Sequence, residues 1–325
     1  MKEPLSRAEL DGVVAEAVGV RLDAVRELTE GTCNAAYALT LADGRELVLK
    51  VAPPPGTPVL SYERDLLATE AMCLRRFAGR VPVPELVAAG TAAGRGYVLT
   101  SLLPGASWQS QSAAVGPDQH RVLRRQVGRH VAAMHAVTGD GRFGYPAGPL
   151  AATTWAGAYR RIIDALLADA ERYAAPLPVP AEDLRRRVGA AAAELLPAVT
   201  TPVLVHFDLW DGNVFVDLAG PEPAVTGFID HERALWADPA ADLVSLALLG
   251  DIADDADFLG GYAEAGGPVV LDEAIRARLH LYRVHLALLM VVETVPRGTA
   301  GAEHAEWNGR VADWLVQELA ALGRR

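Results

Sequence analysis

The spacing of apolar residues changes once along this chain, and that change limits the fold more than any other feature of the sequence. Up to about residue 100 the period is mostly two, as in strands; beyond Leu103-Pro104-Gly105 it is mostly that of helices. Val25 to Ala52 alternates in strand fashion, and Asp43-Gly44 turns Tyr37–Leu41 back onto Glu46–Val51 as a hairpin. Two further strands are predicted at Leu86–Gly90 and Gly96–Ser101. A helix is predicted from the capping-box spacing Ser6-Arg7-Ala8-Glu9 to about Val18. A second has helical spacing over Tyr62–Phe77, between Pro53-Pro54-Pro55-Gly56 and Pro82. The first unit is therefore a small antiparallel sheet of about five strands with one packed helix.

The remainder predicts helices at Asp118–Val137, Thr154–Tyr173, Ala181–Leu196, Pro239–Leu249, Asp255–Ala265, Asp272–Val292 and Ala302–Leu322. Short apolar runs near Val203–Val205, Val214–Val216 and Val225–Ile229 read as small strands carrying polar loops. The 325 residues thus divide into an α+β pair of units, 1–103 and 104–325, with a cleft between them.

A net charge of −11 excludes a nucleic-acid surface, which needs clustered Lys and Arg. From Glu232 onward there are fifteen acidic residues against eight arginines, so a cationic ligand would be sought there. Cys33 and Cys73 show no disulfide or zinc spacing and read as free thiols. The N-terminus lacks the order of a secretory signal, and Leu286–Val292 is far too short to span a membrane, so a soluble cytoplasmic protein is expected.

The segment Val203-Leu204-Val205-His206-Phe207-Asp208-Leu209-Trp210-Asp211-Gly212-Asn213 carries the chemistry. It fits His-x-Asp-Leu-x-x-x-Asn, the catalytic-loop pattern of kinases. In that pattern Asp208 takes or orients the proton of an attacking hydroxyl, Asn213 turns its carbonyl to a Mg2+ ion that bridges phosphates, and His206 braces the loop. An Asp and an Asn in a turn are often only caps, so the weight comes from a second carboxylate, Asp230, that ends the strand Ala224–Ile229. Lys50 lies in the apolar strand Leu47-Val48-Leu49-Lys50-Val51 of a chain with only one other lysine, Lys2. An ammonium there can pair α- and β-phosphates if a helix carboxylate holds it, and Glu70 is the first choice, Glu63 the second.

Together these residues resemble the aminoglycoside phosphotransferase family, which includes antibiotic kinases and choline-kinase-like and fructosamine-kinase-like relatives. The resemblance spans most of the chain. It extends to Ile229-Asp230-His231-Glu232, to Asp238-Pro239-Ala240-Ala241-Asp242-Leu243, to Val81-Pro82-Val83-Pro84 and to Leu102-Leu103-Pro104-Gly105. It implies a two-lobed protein-kinase-like fold with Asp208 as catalytic base, Asn213 and Asp230 on Mg2+, and Lys50 with Glu70 on the phosphates. It also implies that Thr100, Ser101 and Leu103 meet the nucleotide base through their backbone. Asp238 and Asp242 would cap and brace a helix. The loop Glu30-Gly31-Thr32-Cys33-Asn34 holds one glycine where protein kinases have three, yet the amides of Thr32, Cys33 and Asn34 can still cradle phosphate. His-Glu after Asp230, and no Ala-Pro-Glu segment, point away from protein substrates.

The function implied is transfer of the γ-phosphate of Mg-ATP or Mg-GTP to a hydroxyl of a small molecule that could carry positive charge. An antibiotic is the first choice (an aminoglycoside, or a nucleoside, peptide or macrolide antibiotic), with resistance as the role. The alternatives are a metabolic kinase of choline, a sugar or a related hydroxyl, and a nucleotide-binding pseudokinase.

Overall fold

A computed structural model describes residues 4–29 and 34–323. Helix α1 (Arg7–Val18) opens as its spacing predicts: the Ser6 hydroxyl accepts from the Glu9 amide, and the Ser6 amide donates to the Glu9 carboxylate at 2.8 Å. Strands β1 (Leu22–Leu28), β2 (Ala35–Leu41), β3 (Glu46–Val51), β4 (Leu86–Ala92) and β5 (Arg95–Ser101) form one antiparallel sheet in the order β1-β2-β3-β5-β4. Every second residue of β2 is buried. Leu39, Leu49 and Leu99 pack with Leu10, Val13 and Val14 of α1.

Helix α2 (Leu66–Phe77) covers the other face, where Leu67, Ala71 and Leu74 meet Val98. Lys50 sits directly opposite Val98 in the β3–β5 pairing. Cross-strand partners share a face, so the pleat alone aims Lys50 at α2.

The helix predicted from Tyr62 begins four residues later, at Leu66. Residues 57–65 are instead anchored on the second lobe. The Ser61 amide and hydroxyl donate to Asp169 at 2.6 and 2.7 Å, Arg172 and Tyr173 both donate to the Val59 carbonyl at 2.7 Å, and Tyr62 stacks on Tyr145 at 4.9 Å. These tertiary bonds outweigh the few tenths of a kcal/mol per residue that helical propensity offers. Asp65 accordingly takes φ = 53° just before the helix.

The second lobe comprises β6 (Ala106–Ser107), α3 (Trp108–Gln111), α4 (Pro117–His135), α5 (Trp155–Arg172), α6 (Ala181–Leu195), β7 (Val203–Val205), β8 (Val214–Asp217), β9 (Ala224–Phe228), β10 (Leu235–Ala237), α7 (Leu243–Leu246), α8 (Ala256–Glu264), α9 (Glu273–Glu293) and α10 (Ala305–Leu322). β6, β10 and α3 have no sequence signal, being only two to four residues long. The helix predicted over Pro239–Leu249 is a 3-10 turn, Pro239–Asp242, followed by the single turn of α7. Strands β7 and β10 pair with each other, and β8 pairs with β6 and β9, so the two polar loops, after β7 and after β9, emerge side by side. Tyr262, Tyr282 and Trp314 are core residues, and Trp236 is half-buried. Cys73 is a buried free thiol on α2, whereas Cys33 lies outside the described residues.

Candidate functional site

The loop after β7 is held from beneath. The Asp242 carboxylate, fully buried, accepts from the amides of His206 (3.0 Å) and Phe207 and contacts the His135 ring at 3.0 Å. Phe207 has φ = 61°, a conformation that costs a bulky residue of order 1–3 kcal/mol and persists only where its surroundings impose it. Asp242 therefore braces the loop itself more than the following turn. Asp238 does cap that turn, accepting from the Ala240 amide at 3.0 Å, and it also binds Arg278 and Tyr282 at 2.7 Å each. Further along, the Leu209 amide donates to Ser245 Oγ at 3.0 Å.

Asn213 closes the loop by donating its Nδ2 to the Asp208 carbonyl at 2.8 Å. Its backbone carbonyl accepts from the Ile229 amide at 3.0 Å, and the His206 ring meets the Ile229 carbonyl at 2.9 Å. These bonds join the two loops, so that Asp230, in the left-handed region at φ = 63°, follows directly on a residue bonded to Asn213.

Lys50 meets Glu70 at 2.8 Å and is also in direct contact with Asp230, 180 positions away. Burial disfavours the ammonium, but the Asp230 and Glu70 carboxylates outweigh it and hold Lys50 above the ordinary lysine value. Burial likewise opposes the Asp230 carboxylate, yet Lys50 keeps it below the ordinary range. A third carboxylate joins them: oxygens of Glu70, Asp230 and Glu232 lie within 4.8 Å of one another. Burial and the Asp230 charge push Glu232 up to about 8. Its two-residue offset from Asp230 is the signal that sequence reasoning passed over. Asn34 donates to Glu232 from the loop between β1 and β2, while Thr32 and Cys33 lie outside the described residues.

Asp208 is partly exposed, and its carboxylate lies 3.7 Å from Arg233. Arg233 continues a buried ionic chain: it binds Glu293 at 2.9 Å, Glu293 binds Arg297 at 3.1 Å, and Arg297 binds Glu63 at 2.8 Å. Glu63 thus belongs to this chain and Glu70 to Lys50. Arg233, Glu293 and Arg297 carry no motif and were not singled out from sequence.

At the hinge, Ser101 and Leu102 donate their amides to the Glu85 and Glu46 carbonyls, at 2.9 and 3.3 Å. Thr100 is buried in β5 opposite Val48 and Leu86. The Leu103 amide has no hydrogen-bond partner among the described residues, and its side chain packs on Gly227.

A strand lysine held by a helix carboxylate above paired Asp and Asn loops is the architecture of a protein-kinase-like phosphotransferase. The chain belongs to the phosphotransferase enzyme family, whose model matches residues 24–282. It is an enzyme of the kind that transfers phosphate to a hydroxyl acceptor. No curated protein sequence matches it.

Solved structures similar to it include a candidate fructosamine-3-kinase from Thermobifida fusca YX-ER1, with 23% identity, TM-score 0.64 and coverage of 95% of this chain and 98% of that one. The macrolide 2′-phosphotransferase MphH from Brachybacterium faecium has 22% identity and TM-score 0.57, covering 94% and 97%. The aminoglycoside phosphotransferase APH(2″)-IIa, solved with streptomycin and ATP, has 13% identity and TM-score 0.60, covering 99% and 98%. At these identities the likeness establishes the fold. No helix among the described residues is long and apolar enough to cross a membrane.

Proposed function

We propose that the chain transfers the γ-phosphate of a Mg2+-bound nucleoside triphosphate, ATP or GTP, to a hydroxyl of an antibiotic, residues 1–103 presenting the nucleotide and 104–325 the transfer chemistry. The observation that carries this reading is the meeting of Lys50 with both Glu70 and Asp230 beside the joined Asp208–Asn213 loop. A lysine held in place by two carboxylates is oriented for phosphate oxygens in advance of binding.

The donors fit Mg2+, which takes oxygen ligands. Asn213 spends its Nδ2 on the Asp208 carbonyl, which leaves its Oδ1 as the ligand atom beside the Asp230 carboxylate. Glu70 Oε2 is buried without a hydrogen-bond partner among the described residues, and three carboxyl groups crowd around one ammonium, a repulsion that adds to burial in pushing Glu232 up, so a further cation is electrostatically favoured. Asn213 and Asp230 would hold the ion, and its chemistry there is to neutralise charge on the phosphates. Lys50 steadies the α- and β-phosphates, and the Leu103 amide, with Thr100 and Ser101 setting the strand behind it, meets the base. Asn34 ends the loop over the phosphates.

Asp208 receives the acceptor proton. The hydroxyl oxygen forms the new bond to phosphorus, the bond from phosphorus to the β-phosphate oxygen breaks, and nucleoside diphosphate leaves. Arg233, 3.7 Å away, holds the Asp208 carboxylate in place. An acidic excess after Glu232 favours acceptors that carry positive charge.

The test is nucleoside diphosphate release with Mg-ATP or Mg-GTP across hydroxylated antibiotics, simple sugars and choline. Release stimulated by one antibiotic class supports the proposal. Release with choline or a simple sugar alone makes the enzyme metabolic, and silence with nucleotide still bound makes it a pseudokinase.

A further inference from the structure

Six tryptophans occur in the chain, and Trp210 is one of two exposed at more than 40%. The other, Trp307 on α10, is covered by Arg310, whose guanidinium lies 5.6 Å from its ring. Trp210 takes no ring or cation partner among the described residues, although it sits two positions from Asp208. The backbone around it does not drift: Leu209 is tied to Ser245, and the Asn213 amide donates to the Trp210 carbonyl at 2.9 Å. The ring is backed by Gly212, where an added Cβ would come within 2.3 Å of it. The six-membered part of the indole thus rests on a residue whose missing side chain makes room for it, while the side chain stays substantially exposed.

An aromatic surface so placed constrains the acceptor. Residues two apart put their Cα atoms at most about 7 Å from each other. A ring-sized molecule that offers a hydroxyl to Asp208 is therefore within reach of the indole. A flat apolar ring favours a partner with a broad C–H face, which it removes from water and contacts by dispersion. A quaternary ammonium is instead recognised by several aromatic rings forming a cage, and among the described residues Trp210 has no ring paired with it.

We propose that Trp210 is the acceptor platform: a sugar or cyclitol ring lays its C–H face on the indole while a hydroxyl of the same ring reaches Asp208. This rests on the phosphotransfer reading and narrows its substrate class to ring-borne hydroxyls.

The test compares wild type with Trp210→Phe, Trp210→Leu and Trp210→Ala, using Mg-ATP with streptomycin, a macrolide, D-fructose and choline. A ring-bearing acceptor is expected to be turned over. Its KM should rise about tenfold in Trp210→Ala and Trp210→Leu, while the nucleotide KM changes far less, and Trp210→Phe should restore it to within about threefold. The flat ring, not apolar bulk, is what Phe preserves and Leu lacks. An unchanged acceptor KM in Trp210→Ala, or choline as the preferred acceptor, overturns the platform while leaving phosphotransfer standing. Wild-type silence on every acceptor brings down both.

Discussion

Glu63 and Arg297 meet at 2.8 Å although 234 positions separate them. Glu63 stands at the entrance to α2, and Arg297 follows the end of α9, so this pair fastens the helix that carries Glu70 to the lobe that carries Asp208. Arg297 also binds Glu293, so removing it leaves two buried carboxylates short of positive charge. Breaking a buried ion pair from one side costs about 3–5 kcal/mol. Arg297→Met is accordingly expected to lower the urea midpoint sharply, and Arg297→Lys to recover part of the loss. Equal midpoints for wild type and Arg297→Met would show that the pair holds nothing together.

Asp208 and Asp230 are each required if the proposed transfer is right, because neither has a substitute in its position. Asp208→Ala and Asp230→Ala are expected to reduce substrate-stimulated diphosphate release at least about a thousandfold. Lys50→Ala should weaken turnover by less, since charge on the phosphates is also neutralised elsewhere. Chelating Mg2+ should abolish release in the wild type. An active Asp208→Ala variant would remove the assignment of that residue.

Much of this arrangement can be read from the chain because it is local. The pleat around Lys50, the capping box at Ser6 and the loop from His206 to Asn213 each depend on neighbours within a few positions, and all appear where spacing places them. What could not be read is long-range. The start of α2 is set by bonds from Ser61 to Asp169, over 100 positions away, and the ionic chain from Asp208 to Glu63 joins four segments. Periodicity reports which face is apolar but not which charged ends will meet. Glu232 is an intermediate case, since it lies inside a quoted motif and acquires its meaning only when Glu70 and Asp230 converge on it.

The Asp242 carboxylate supports the strained backbone at Phe207, and this gives it a larger effect than a helix cap. Asp242→Ala removes the acceptor for the buried His206 and Phe207 amides at once. Each orphaned buried donor costs about 1–3 kcal/mol, so a loss of about 2–6 kcal/mol is expected in chemical denaturation. Because the loop would relax as well, kcat should fall while the nucleotide KM stays near its wild-type value. A variant with wild-type kcat would show that the loop holds its shape unaided.

His285 provides a test of the core behind the same loop. Its ring is buried against Phe207, with centroids 4.6 Å apart, and meets Tyr159 edge-on at 5.8 Å, with Nε2 unpartnered among the described residues. Burial, with a smaller push from Arg233, lowers its pKa to about 3. The unfolded chain has the ordinary value of about 6.5, so below that pH the unfolded state binds a proton that the folded state refuses. This contribution to stability is intact above about pH 6.5 and is lost as pH falls from there towards about 3. Between pH 7 and pH 5 it removes about 2 kcal/mol. His285→Leu cannot take up that proton in either state. Urea titrations at both values should therefore show wild type losing about 2 kcal/mol more than His285→Leu as the pH is lowered, and parallel losses in the two proteins would mean that the ring is protonated within the fold.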